Sequence, residues 1–196
     1  MSLPAEAAPG AAKRLSRNLD RELARLSTLF SRLDWSGAAR LADLLAGVTG
    51  VFVAGAGRSG LLARCFAMRL MQLGKKVNVA GETVTPAIGG NDLLLLLTGS
   101  GDTAGQAVLA EKAVGAGAAL AVITARPEGR IPGLADLVVA IPAAAGGRET
   151  EEPGVHPLGS LFEQAAFLFL ETMAAELMER LGQTRESMLG RHANLE

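Results

Sequence analysis

Thr98-Gly99-Ser100-Gly101-Asp102-Thr103 gathers three hydroxyl side chains and two glycines within six positions, between a strongly apolar run and a helical stretch from about Ala104 to Val114. A helix N-terminus carries unpaired N–H groups and the positive end of the dipole, so hydroxyls and glycines placed there form a cradle for an anion such as phosphate. The competing reading is helix capping, in which Ser100 or Asp102 accepts a backbone N–H and nothing binds. Capping needs one such residue and leaves the other hydroxyls and the glycines without a purpose, which favours the cradle.

Gly55-Ala56-Gly57-Arg58-Ser59-Gly60 fits G-x-G-x-x-G after an apolar run, and Glu82 follows the next run. On spacing this is a dinucleotide fingerprint, with the glycines admitting a pyrophosphate to a helix N-terminus and the carboxylate taking ribose hydroxyls. Such glycines also arise only to let a strand and a helix pack closely. Arg58 and Ser59 suit a smaller phosphorylated ligand as well. All three readings stand on spacing alone.

Glu163 lies in Pro157-Leu158-Gly159-Ser160-Leu161-Phe162-Glu163, at the head of a long apolar stretch. A carboxylate among Phe and Leu is desolvated, which suits a base that takes a proton from carbon. Ser160-x-x-Glu163 is also a capping box, and spacing by itself favours that plainer role. The histidines are His156, in a Gly- and Glu-rich segment, and His192, near the end of the chain. With no Cys or carboxylate spacing around them, they read as solvated side chains and predict no metal site.

These residues need elements to hold them. Short β-rich runs at Val51–Ala54, Val77–Ala80, Leu93–Leu97, Ala121–Thr124 and Leu137–Ile141 alternate with helical stretches. Runs apolar on both faces predict an α/β fold with a five-stranded parallel sheet covered by helices on both sides. In such sheets ligands sit beyond the carboxyl ends of the strands. Leu15–Leu33 and about Ser36–Ala46 predict two N-terminal helices, and Leu158–Leu181 a long C-terminal helix apolar on more than one face, suited to a subunit interface. Ala143 to His156 lacks apolar periodicity and reads as a mobile loop that could close as a lid.

Composition narrows the function. At 196 residues and 49% hydrophobic, the chain supports one domain, from residue 13 onward, with Met1 to Ala12 outside the fold. Lys+Arg 19 against Asp+Glu 20 gives a net charge of -1, too little long-range field to gather nucleic acid or an anionic membrane. Any anion must be met by local donors. The single cysteine, Cys65, cannot form an internal disulfide, and no run approaches the ~18 apolar residues of a membrane span. A cytoplasmic setting is the expectation.

Taken in order, Gly57-Arg58-Ser59-Gly60, Gly81-Glu82-Thr83, Thr98 to Thr103, Pro157 to Glu163 and His192-Ala193-Asn194-Leu195-Glu196 resemble the 6-phospho-3-hexuloisomerases of the sugar isomerase (SIS) domain superfamily. The likeness runs from about Leu15 to the C-terminus. It implies an SIS-type, flavodoxin-like three-layer sandwich and conversion of D-arabino-3-hexulose 6-phosphate to D-fructose 6-phosphate, a step of formaldehyde fixation by the ribulose monophosphate pathway, without a cofactor. By the same resemblance Thr98, Gly99, Ser100 and Thr103 hold phosphate, with Gly101 and Asp102 in the same loop. Gly57, Arg58, Ser59 and Glu82 line the substrate site, and Ser59 meets phosphate or a sugar hydroxyl. Glu163 matches the base, and His192 reaches a neighbouring subunit's site in a homotetramer. Thr98 stands where the family usually has Ser, keeping the hydroxyl, and Asp102 where it usually has Glu, a shorter acid. Two other classes remain: a non-catalytic phosphosugar-binding SIS module, and a dinucleotide oxidoreductase resting on Gly55 to Gly60 and Glu82.

Overall fold

A computed structural model describes residues 8–143 and 160–195. The elements in chain order are α1 (Ala11–Phe30), α2 (Trp35–Gly47), β1 (Gly50–Gly55), α3 (Gly57–Gln72), β2 (Lys76–Val79), β3 (Asp92–Thr98), α4 (Ala104–Gly115), β4 (Ala119–Thr124), β5 (Leu137–Ala140), α5 (Ser160–Arg180) and α6 (Arg185–Leu189), with a 3-10 turn at Pro132–Leu134. The strands form one sheet in the order β2-β1-β3-β4-β5, with every pairing parallel. This is the α/β sandwich that the apolar runs predict.

Period-two alternation assigns the strand residues to two layers. Val51, Val53, Leu93, Leu95, Leu97, Ala121 and Ile123 face the layer of α1, α2, α3 and α5. Phe52, Ala54, Leu94, Leu96, Leu120 and Val122 face α4, which meets them with Ala107, Ala110 and Ala113. The five leucines of β3 are therefore buried on both sides, which is why that run shows no alternation. Small alanines on α4 let it lie close to the sheet.

The structure departs from strict strand–helix alternation in two places. Residues 80–91 join β2 to β3 without a helix and cover the α4 side of the sheet with Ala80 and Ile88. Only the 3-10 turn, with Ile131 buried beside it, joins β4 to β5. Each connection buries too few apolar residues to hold a helix against the sheet. α1 begins at Ala11, two residues inside the segment expected to lie outside the fold. α6 follows a turn at Gly182 and is closed by a capping box of Thr184 and Ser187.

α5 owes its broad apolar surface first to its own chain. Phe162, Ala165, Ala166, Phe169, Leu170, Met173, Ala174 and Leu177 are buried in the helical layer, while Phe167 and Leu168 stay 41% and 43% exposed. On α1, Leu26 and Leu29 are buried, but Leu15, Leu19 and Leu23 are 57–69% exposed along one stripe. Residues 144–159, which include most of the expected lid and His156, lie outside the described residues.

Candidate functional site

With β1 flanked by β2 on one side and β3 on the other, the chain moves outward in opposite directions from β1, and the carboxyl ends of β1 and β3 are the switch point where an open sheet leaves a crevice. Gly55 is register partner to Leu97, so the glycine-rich turn after β1 and the Thr98–Thr103 loop leave adjacent strands at the same level.

The turn after β1 is built by backbone contact. A Cβ on Gly60 would lie 2.6 Å from the Gly55 carbonyl oxygen, and a Cβ on Gly55 2.8 Å from the Gly60 nitrogen. Gly57 opens α3 with φ +56, a left-handed value costly for other residues. Close strand–helix packing thus accounts for the outer glycines of the pattern. The remaining positions present chemistry: Ser59 is 8% exposed at the base of the turn, and Arg58 projects into solvent with its side chain 63% exposed.

The Thr98–Thr103 loop is organised by its own hydroxyls. Gly101 N donates to Thr98 Oγ1 at 3.2 Å, Asp102 N faces Ser100 Oγ at 3.4 Å, and Ser100 Oγ lies 3.3 Å from Thr103 Oγ1. The loop is braced from the β4 side, where Ile131 N donates to the Gly101 oxygen at 3.0 Å. There a Cβ on Gly101 would sit 2.8 Å from the Arg126 oxygen. The N-cap of α4 is Thr103, not Ser100 or Asp102, and its side chain makes no capping bond. α3 and α1 likewise start without a side-chain cap, while α2 and α6 are capped by Asp34 and Thr184. The helix start beside the hydroxyl cluster therefore keeps unpaired donors and the dipole's positive end. Thr98 is only 3% exposed and shapes the loop from beneath; Ser100 and Asp102 are exposed.

Glu163 enters this site through Phe162. A Cβ on Gly99 would lie 3.1 Å from Cδ1 of the buried Phe162 ring, so the first turn of α5 rests directly on the hydroxyl loop. Glu163 follows, its side chain 16% exposed, in an ion pair with Arg58 across the α3–α5 gap. The two line a groove of about 340 Å³ with Leu61, Leu62, Gln164 and Phe167. Gln164 Oε1 is buried there and makes no hydrogen bond. Ser160's side chain, and so the capping box, lies outside the described residues.

Two predicted residues stand apart. Glu82, just past β2, forms an ion pair with Arg64 of α3. His192 lies beyond α6 in a hollow with Arg69, Gln72 and Met188. Arg191 pins this tail, donating to the carbonyls of Gln72 and Ser187, each at 3.1 Å. Arg58 and Gln72 mark opposite ends of α3, about 21 Å apart at the α-helical rise. Within one chain, His192 and Glu163 therefore lie at opposite ends of α3. The sequence reading did not assign Phe162, Leu61, Leu62, Gln164 or Phe167 to the site and did not pair Arg58 with Glu163. The register of Leu61 and Phe167 on their helices carried a signal for the groove, but nothing local links Arg58 to a partner 105 residues away.

Among the described residues there is no group of three or more His, Cys, Asp or Glu suited to a metal, and no helix long and apolar enough to cross a membrane. A family model for the SIS domain matches residues 44–155. A "3-hexulose-6-phosphate isomerase" of Mycobacterium gastri is 49% identical, over 74% of this chain and 73% of its own. One of the same name from Bacillus subtilis is 40% identical, over 81% and 86%. A solved structure from Methanococcus jannaschii, for which a 3-hexulose-6-phosphate isomerase function was inferred, aligns with a TM-score of 0.79 at 32% identity, covering 93% of this chain and 99% of that one. With an open parallel sheet of order 2-1-3-4-5, a hydroxyl loop at its switch point and these relatives along most of its length, the chain belongs to the SIS domain family.

Proposed function

We propose that the chain is a sugar-phosphate isomerase that converts D-arabino-3-hexulose 6-phosphate to D-fructose 6-phosphate. The observation that carries this reading is the contact of Gly99 with Phe162, which sets a carboxylate, Glu163, beside a loop fit to hold phosphate. The reaction moves a carbonyl from C3 to C2. It needs one base that takes a proton from one carbon and returns it to the neighbouring carbon through a cis-enediol, and a partner that moves protons between the oxygens. No electrons leave the sugar, so the transfer is internal and calls for no redox cofactor.

In this reading the phosphate sits on the backbone and hydroxyls of Gly99, Ser100, Gly101 and Thr103. Thr98 shapes the loop beneath, and Asp102 stands exposed at its rim. Gly57 opens the wall formed by Arg58 and Ser59. The phosphate's remote binding energy fixes the reacting carbons against Glu163. Glu82, held by Arg64 just past β2, stands outside this arrangement. His192 supplies the oxygen-to-oxygen proton transfer in a neighbouring subunit, because the length of α3 keeps it from its own Glu163.

A homotetramer is the assembly that the resemblance implies, and the exposed leucine stripe of α1 with Leu61, Phe167 and Leu168 offers apolar surface for it. The setting proposed is the cytoplasm, in formaldehyde fixation by the ribulose monophosphate pathway. The test is to supply the 3-hexulose 6-phosphate and follow fructose 6-phosphate with a coupled dehydrogenase. Turnover is expected with no cofactor or metal beyond what the coupling enzymes require, and none with correctly folded protein would refute the assignment.

A further inference from the structure

The Arg58–Glu163 ion pair poses a problem for a base. A carboxylate that takes a proton from carbon must turn a free oxygen toward it, yet a guanidinium occupies Glu163 Oε2 here. The two partners are held unequally. Glu163 is 16% exposed and backed by the buried Phe162, whereas the Arg58 side chain is 63% exposed at the first turn of α3. Arg58 is the partner free to leave.

The same turn shows where it would go. Gly55, three residues before Arg58, pairs with Leu97, one residue before Thr98, and neighbouring strands lie about 4.8 Å apart. An arginine at the start of α3 therefore leaves from the strand next to the one that carries the hydroxyl loop, one strand spacing away. A phosphate there carries nearly twice the charge of a carboxylate and matches the guanidinium fork.

We propose that Arg58 is a phosphate-operated latch on Glu163. With the loop empty, Arg58 occupies the carboxylate; a phosphate seated on Gly99 to Thr103 draws the guanidinium to itself and leaves Glu163 facing the sugar carbons. Arg58 is then a positioning residue that makes the base available only when a phosphorylated substrate is present. A sugar without phosphate leaves the latch shut, so discrimination against it appears in kcat as well as in KM. The latch rests on the roles proposed above for the loop and for Glu163.

The test uses the full chain labelled with [13C-carboxyl]glutamate and 15N, titrated with inorganic phosphate. The Glu163 signal is assigned by its loss in Glu163→Gln, and the amides of Gly99 to Thr103 report binding. The latch predicts that the amides and the Glu163 signal shift together and saturate at the same phosphate concentration. In Arg58→Leu the amides still shift, with half-saturation about tenfold higher for the lost charge-assisted hydrogen bond, and Glu163 no longer follows. Arg58→Lys restores the coupling. Amide shifts with a silent Glu163 in the unsubstituted protein, or an equal Glu163 shift in Arg58→Leu, overturn the latch and leave the phosphate loop standing. If phosphate shifts neither signal, the anion-binding role of the loop falls and the latch with it.

Discussion

Gly99 packs against Phe162 so closely that an added Cβ would come within 3.1 Å of the ring. This contact joins the hydroxyl loop after β3 to the helix that carries Glu163, across 63 residues of sequence. In the proposed reaction it fixes the spacing between the phosphate anchor and the base, on which an intramolecular proton transfer depends.

Gly99→Ala must push the ring, and Glu163 behind it, by a few tenths of an ångström. Overpacking of this size costs stability by about 1 kcal/mol, while kcat/KM is expected to fall about 10- to 100-fold because misplacement of a reacting group weighs on the rate more than on the fold. Steady-state kinetics beside a thermal melt measures both. A loss of stability with unchanged kcat/KM would show that the contact does not set the geometry.

Gly60→Ala addresses the turn after β1 in the opposite sense. Its Cβ would sit 2.6 Å from the Gly55 oxygen, where backbone must move on both sides. A loss of about 3 kcal/mol or more is expected by urea unfolding, as for other severe core clashes. A variant as stable as the parent would return these glycines to a ligand-binding role.

Much of the fold was legible because β1, β3 and β4 are buried on both faces and read as unbroken apolar runs, with Gly57 and Gly101 marking turns of positive φ. The irregular 80–91 connection was not, since Ala80 and Ile88 give no periodic signal. α6 had one in Thr184-x-x-Ser187, a capping box that passed unread. In the site, the hydroxyl loop was legible from composition at a helix start. The ambiguity at Gly55 to Gly60 needed coordinates, because close packing and ligand access both select glycine. The Arg58–Glu163 pair and the placing of His192 far from Glu163 depend on how α3 and α5 pack, which no local pattern encodes.

The separation of His192 from Glu163 predicts sharing of sites between subunits. Glu163→Gln and His192→Ala are each expected to have strongly reduced turnover alone. Dissociating and reassembling them together should recover a measurable fraction of turnover, because some sites then receive an intact Glu163 from one subunit and an intact His192 from another. Mixed assemblies without recovered activity would contradict a site built from two chains.

The most direct test of the central claim is turnover of the 3-hexulose 6-phosphate by Glu163→Gln beside the unsubstituted protein in deuterated water, with deuterium at C3 of the fructose 6-phosphate read by NMR. The substitution keeps the shape of the side chain and removes the base. Unsubstituted protein should incorporate solvent deuterium during turnover, and Glu163→Gln should melt at a similar temperature with kcat about 10²- to 10⁴-fold lower, the range for loss of a general base. Turnover and exchange persisting at the unsubstituted rate in Glu163→Gln would show that another group moves the proton.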